Sequence, residues 1–316
     1  MHAGLSGPAY AGEAGASHAQ AMPDCRYGAA PEPVDPQGES RLSHSFFPID
    51  DVFRPILANP KEPRFFASYQ YAHLNRALNG VDGADGVDGD EAFNAATVGF
   101  GESFGLWTMR REGTCHGVQV GFFGGVFSKF NLDTPSANLL NSDFQFGVQT
   151  TAAWHWLSAR LRIYHQSSHL GDEFLIYNPN FDRVDLNFEA LEVLVAITDS
   201  WWRVYAGGGY LLHVFPGTLD RGLLQAGAEA RISPWSGGSF VPTGTWAWVT
   251  GVDATGHQER DWGLTVSAKT GVELAAQQTG RRIRSNIIFS TGYFPFGQFF
   301  GNRKMTNVGA EAQFEF

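Results

Sequence analysis

Apolar and polar residues alternate with period two through most of this chain, from Arg64 to the terminal Phe316. In 144–156, Phe146, Val148, Ala152, Trp154 and Trp156 alternate with Gln145, Gly147, Gln149, Thr151 and His155. In 262–274, Leu264, Val266, Ala268, Val272 and Leu274 alternate with Thr265, Ser267, Lys269 and Glu273. The last segment sets Val308, Ala310, Ala312, Phe314 and Phe316 against Asn307, Gly309, Glu311, Gln313 and Glu315. Successive side chains of a strand point to opposite faces, so each segment predicts a strand with one lipid-compatible face and one wet face.

Turn residues divide the alternation into segments beginning near Arg64, Phe93, Gly117, Phe144, Ser158, Arg183, Trp202, Gly222, Gly244, Trp262, Arg281 and Met305. An even number of antiparallel strands of about ten residues is what a single-chain bacterial barrel requires. With both ends of the wall in the periplasm, the connections at 157–158 and 198–200 are periplasmic and short. Those at 75–92, 131–143 and 168–182 are external and long, the asymmetry usual in such barrels. The expectation is an all-β, transmembrane, antiparallel up-and-down β-barrel of about twelve strands over 64–316. Phe316 behind alternating apolar residues looks like the C-terminal signal read by the barrel-assembly machinery.

Composition agrees with a wall that hides its hydrophobicity. The chain holds 38 Gly, 26 Phe and 9 Trp, only 17% of it is charged, and the mean hydropathy is −0.19. No stretch approaches the roughly 20 unbroken apolar residues of a membrane helix. The net charge of −10 argues against nucleic acid as a partner. Much of the acid is local, in Asp82-Gly-Ala-Asp-Gly-Val-Asp-Gly-Asp-Glu91. Its spacing does not reproduce an EF-hand; a solvated loop is the plain reading and loose Ca²⁺ binding the lesser one.

The chain ahead of the wall divides in two. Residues 1–30 are small and polar, and Ala19-Gln20-Ala21 resembles a signal-peptidase site without a basic or apolar region before it. This predicts a processed or disordered N-terminus behind a truncated, replaced or mis-started leader. Residues 31–63 are Pro-rich and then place Val52, Phe53, Ile56 and Leu57 at helical spacing behind Asp50. They predict a periplasmic linker and a short helix packed on the barrel mouth. Cys25 and Cys115 are too few for a disulfide scaffold or a zinc site. Both fall on the periplasmic side, where a bridge between them is one outcome and two free thiols the other.

Candidate chemistry concentrates in the fifth strand and its exit loop, RLRIYHQSSHLGD from Arg160 to Asp172. Arg160 and Arg162 belong in the lumen, since an arginine facing lipid at the midplane costs roughly 2–4 kcal/mol. Parity then turns His165 and Ser167 outward, at the level of the outer leaflet. An imidazole one repeat from a serine on the same face can take its proton as it attacks an ester. On the next strand Val184, Leu186 and Phe188 are expected to face lipid, and Asp182, of the same parity, is the expected orienting group, with Asp172 and Glu173 as substitutes. The plain alternative makes these rim residues ordinary, and His169, Asp172 and Glu173 contacts to loops or lipopolysaccharide.

His165-Gln166-Ser167 resembles the outer-membrane phospholipase A and lipid A 3-O-deacylase barrels. There His-x-Ser lies on an outward-facing strand and an Asn or Glu on the next strand completes the triad. This chain departs from the phospholipase pattern with Ser168-His169 after the serine. Over a longer range, ILANPKEPRFFASY, YHQSSHLGDEF, RVYAGGGYL and FGQFFGN resemble the bacterial family catalogued as domain of unknown function number 1207. That resemblance, from about Phe47 to Phe316, implies an outer-membrane protein and no particular activity.

The reading that results is a lipid-facing serine hydrolase acting on acyl esters of phospholipid or lipopolysaccharide in the bacterial outer membrane, without a cofactor. The alternatives are a narrow substrate channel and a plugged structural or surface-contact barrel. Expected lumen groups are Arg160, Arg162, Arg203, Arg231, Lys269, Arg282 and Arg284 against Asp185, Asn187, Glu189, Glu229, Glu273 and Glu311. Gly124-Gly125 and Gly207-Gly208-Gly209 lack the Lys-Ser/Thr of a phosphate loop and read as strand glycines.

Overall fold

The structure, a computed structural model, describes residues 41–48, 51–75, 91–111, 114, 116–179, 181, 183–233, 244–276, 281–299 and 303–315. Its strands are β1 (Leu42–Phe46), β2 (Phe65–Leu74), β3 (Glu91–Arg111), β4 (Gly117–Asn131), β5 (Leu139–Trp154), β6 (Leu157–Leu170) and β7 (Asn187–Thr198). They continue as β8 (Trp202–Phe215), β9 (Gly222–Ile232), β10 (Gly244–His257), β11 (Leu264–Ala276), β12 (Arg282–Tyr293) and β13 (Lys304–Glu315). Among the described residues one short α-helix, α1 (Asp172–Tyr177), interrupts them.

Strands β2 to β13 pair with their chain neighbours, and β13 pairs back onto β2, so twelve antiparallel strands close a cylinder. Closure is what lets strands cross lipid, because it leaves no unpaired backbone edge there. β1 is the extra strand. β2 covers β3 only as far as Gly99, and β1 takes up the longer strand again from Trp107 to Arg111. The wall begins and finishes at one end, here the near end; the opposite end is the far end.

The alternation sorts side chains as a membrane barrel demands. Outside stand Phe100, Phe146, Leu161, Ile163, Leu264, Ile287 and Val308, all well exposed. Inside and buried are Arg160, Arg162, Arg203, Lys269, Arg282 and Arg284 with Glu229, Glu273 and Glu311. The charges are paired: Arg203 with Glu229 at 2.6 Å, Lys269 with Glu311 at 2.8 Å, and Glu273 with Arg284 at 2.7 Å. Arg231 reaches Glu273 as well, at 2.9 Å.

The lumen is filled by the chain's own N-terminal segment. The helix expected from Val52, Phe53, Ile56 and Leu57 is absent; these residues run without helical or strand structure and are buried inside the cylinder. The reason lies in the carbonyls. Those of Arg54 and Pro55 accept from Arg203 at 2.9 and 3.1 Å, and those of Ile56 and Leu57 accept from Arg64. Guanidinium groups have thus taken the acceptors that a helix would need, and Pro55 supplies no amide. The apolar side chains pack on the wall, Phe53 and Ile56 against Leu194, Ala196 and Tyr205.

Charge fixes the segment further along. Glu62 is buried between Arg160 at 2.6 Å and Arg162 at 2.8 Å, and Lys61 meets the buried Asp143 at 2.6 Å. Glycine makes room for it: a Cβ on Gly105 would stand 2.6 Å from Pro48 Cγ, and one on Gly101 3.3 Å from Pro63 Cα.

Towards the far end the bore is packed with aromatic side chains. Phe174 of α1, Phe294, Phe296 and Phe299 join Phe66, Phe93, Phe127, Leu140, Leu170 and Met305 in one buried cluster. Around β7 part of the expected inside-outside pattern is overturned. β5 begins at Leu139, earlier than expected, and β7 begins at Asn187, later than expected. Leu186 is buried and Phe188 packs on Tyr164 inside, whereas they were expected to face lipid. Asp185 precedes the strand and is exposed, while Asn187 and Glu189 share the outer face with His165 and Ser167. None of Asp185, Asn187 and Glu189 is a lumen group.

Two outcomes follow. Ile287→Arg, in the middle of β12 on the outer face, should destabilise the barrel by about 2–4 kcal/mol in a urea titration in lipid vesicles. Glu62→Ala leaves Glu192, 3.5 Å from Arg160, as the remaining carboxylate near the two arginines. Breaking so buried a cluster should cost about 3–5 kcal/mol. In planar bilayers the parent should be silent and the variant should show intermittent conductance.

Candidate functional site

The outer face of β6, β7 and β8 near the far end gathers groups that the interior does not need. In register, His165 lies opposite Glu189, and Glu189 opposite His213; one step further, Ser167 lies opposite Asn187, and Asn187 opposite Phe215. One polar row therefore crosses three strands and a second crosses two before meeting Phe215, on a surface otherwise occupied by Phe144, Phe146, Ile163 and Leu212.

The first row is joined by hydrogen bonds. Glu189 Oε1 lies 2.9 Å from His165 Nδ1, and Glu189 Oε2 lies 3.0 Å from His213 Nδ1. A carboxylate at that range accepts, so each Nδ1 donates and His165 keeps its Nε2 lone pair for other use. His165 and Glu189 are about half exposed and His213 more so, leaving the row accessible from outside the wall.

Ser167 stands two residues beyond His165 on the same face, a strand repeat of about 7 Å that the two side chains can span. Its hydroxyl makes no hydrogen bond among the described residues, and the ring and hydroxyl are not in contact here. Catalytic hydrogen bonds commonly tighten only once substrate is bound. Ser167 is three residues from the end of β6, about 10 Å along the strand from the far end.

The other expected site residues scatter. His169 is exposed, with its ring edge-on to Phe144 at 5.6 Å. Asp172 and Glu173 occupy the first turn of α1, where Glu173 accepts from Ser136 Oγ at 3.0 Å. Asp182, Cys25, Cys115 and Phe316 lie outside the described residues, as does the acidic stretch from Asp82 to Asp90. The place expected for Asp182 beside His165 is taken by Glu189. The glycine runs lie within β4 and β8, with no helix behind them.

Glu189 and His213 are what sequence reasoning missed at this site. One signal was available: His165, Glu189 and His213 are 24 residues apart each, so a repeated strand-to-strand interval carries three titratable groups into one row.

Inside the wall, a cavity of about 130 Å³ lies beside Arg160, Arg162, Tyr164 and Gln166, and smaller ones of about 50 and 20 Å³ flank Ala58 with Pro60 and Arg54 with Leu57, respectively. The first is large enough for a few waters.

The family described as "Protein of unknown function (DUF1207)" matches residues 13–316. The chain belongs to the DUF1207 family. A comparison with curated proteins found no match. Among solved structures, the DUF1207 barrel is similar to outer membrane phospholipase A from Escherichia coli, with 11% identity and a TM-score of 0.45 over 83% of this chain and 94% of that one. It is similar to LpxR from Salmonella typhimurium, with 10% identity and a TM-score of 0.37 over 79% of this chain and 100% of that one. It is also similar to the β domain of the Bordetella autotransporter BrkA, with 11% identity and a TM-score of 0.40 over 80% and 99%. The DUF1207 barrel's own closed cylinder of twelve antiparallel strands with an apolar exterior is the architecture of outer-membrane β-barrels.

Proposed function

We propose that this DUF1207 barrel is a serine hydrolase of the bacterial outer membrane that cleaves acyl esters of lipids in the outer leaflet. The observation that carries the reading is the bond from His165 Nδ1 to Glu189 on the lipid-facing surface, one repeat from Ser167. Ser167 is the nucleophile, His165 the general base and then acid, and Glu189 the group that holds the ring in the tautomer required. Phospholipid and lipopolysaccharide both present acyl esters at this depth. A site built on the outside of the wall meets them without passage through the lumen.

In this arrangement the near end, with the N-terminal segment, lies in the periplasm and the far end faces outward. Charged lumen groups that pair with the inserted segment support a closed barrel over a channel. The second reading is a plugged barrel whose outer surface serves as a contact site; its outward polar rows are then without chemistry. The terminal Phe316 serves recognition by the assembly machinery, and no cofactor enters the reaction as written.

Purified protein in detergent micelles should release fatty acid from phosphatidylethanolamine or from lipopolysaccharide. Ser167→Ala and His165→Ala should each lower kcat by at least about 10³-fold, and Glu189→Ala by about 10²–10⁴-fold. Equal release from the parent and all three variants removes the hydrolase reading.

A further inference from the structure

Attack on an ester carbonyl builds negative charge on its oxygen, and hydrolases place hydrogen-bond donors where that charge appears. Backbone amides at a turn or helix start are the usual source. Ser167 has no such source, because it lies inside a strand whose amides are committed to the ladder. The amide of Ser168 donates to the carbonyl of Leu186 at 3.0 Å on the β7 side. Alternation then turns the amide of Ser167 the other way, towards Phe144, its register partner on β5.

That same bond sets the phase of the outer rows. With Ser168 and Leu186 a hydrogen-bonded pair, Ser167 and Asn187 form a non-hydrogen-bonded pair, whose Cα atoms approach to about 4.5 Å and whose side chains are closest. His165 and Glu189 are in the same phase, and their side chains meet at 2.9 Å. Asn187 is half-buried, and its carboxamide makes no hydrogen bond among the described residues. A donor without a hydrogen-bond commitment among the described residues therefore stands directly across from the proposed nucleophile.

We propose that the Asn187 carboxamide is the oxyanion donor of this site, an assignment that rests on the hydrolase reading above. Ser167 Oγ forms a bond to the carbonyl carbon while its proton passes to His165 Nε2 and the C=O π pair moves onto oxygen. Asn187 Nδ2 donates to that oxygen. Return of the pair breaks the bond to the leaving alkoxide, which takes the proton from His165. Water repeats the sequence on the acyl-serine and frees the fatty acid.

The test compares the parent, Ser167→Ala, Asn187→Ala and Asn187→Asp as full chains in micelles of phosphatidylethanolamine and, separately, of lipopolysaccharide. Folding of each is checked by heat-modifiable electrophoretic mobility. Asn187→Ala should lower kcat about 10²–10³-fold with KM within about twofold. Asn187→Asp, the same shape with an acceptor in place of the donor, should be no better. Should the alanine variant not fold, the aspartate variant decides on the same criterion. Release that needs Ser167 but is unchanged in the Asn187 variants, or changed only in KM, overturns this assignment and leaves the triad standing. Release that is absent, or independent of Ser167, overturns both.

Discussion

Backbone pairing without an edge is the constraint on which this molecule rests. A strand in lipid has no water to satisfy its amides and carbonyls, so β13 has to meet β2, and the side chains of every strand divide between two solvents. From that division follow the buried charges, which are tolerable only because they find partners inside, and the outward polar rows, which stand out because the rest of the outer surface is apolar. Where β2 runs short beside β3, the same demand is met by β1.

The lumen and the candidate site answer to different solvents and are chemically separate. Arg160 and Arg162 point inward and hold Glu62, while His165 and Ser167, further along β6 on the outer face, take no part in that network. A closed interior is therefore compatible with a working exterior. Glu189 supports the same division: as a register partner of both His165 and His213 it is spent on the outer face, not on balancing lumen arginines.

The wall was legible in the sequence because period two carries physical meaning wherever one face meets lipid. The outward turn of His165 and Ser167 was legible for a related reason, since Arg160 and Arg162 fix the phase of β6. The phase of β7 was not. Its approach, 183–186, lies outside the strand, and Leu186 and Phe188 turn inward, Phe188 onto Tyr164, so hydrophobicity there no longer means lipid. The carboxylate of Glu189 was lost with that phase. Residues 52–57 misled in another way. Apolar groups at helical spacing describe a chain touched on several sides as well as a helix, and only the guanidinium groups of Arg64 and Arg203 decide between them.

The inserted segment bears on how the barrel is closed. Residues 51–64 run directly into β2, and β2 is one side of the seam that β13 completes. Both flanks of this stretch, β1 and the start of β2, lie at the near end, so it is a loop folded back into the bore beside Arg160, Arg162 and Arg203, and the join of β13 to β2 anchors its exit.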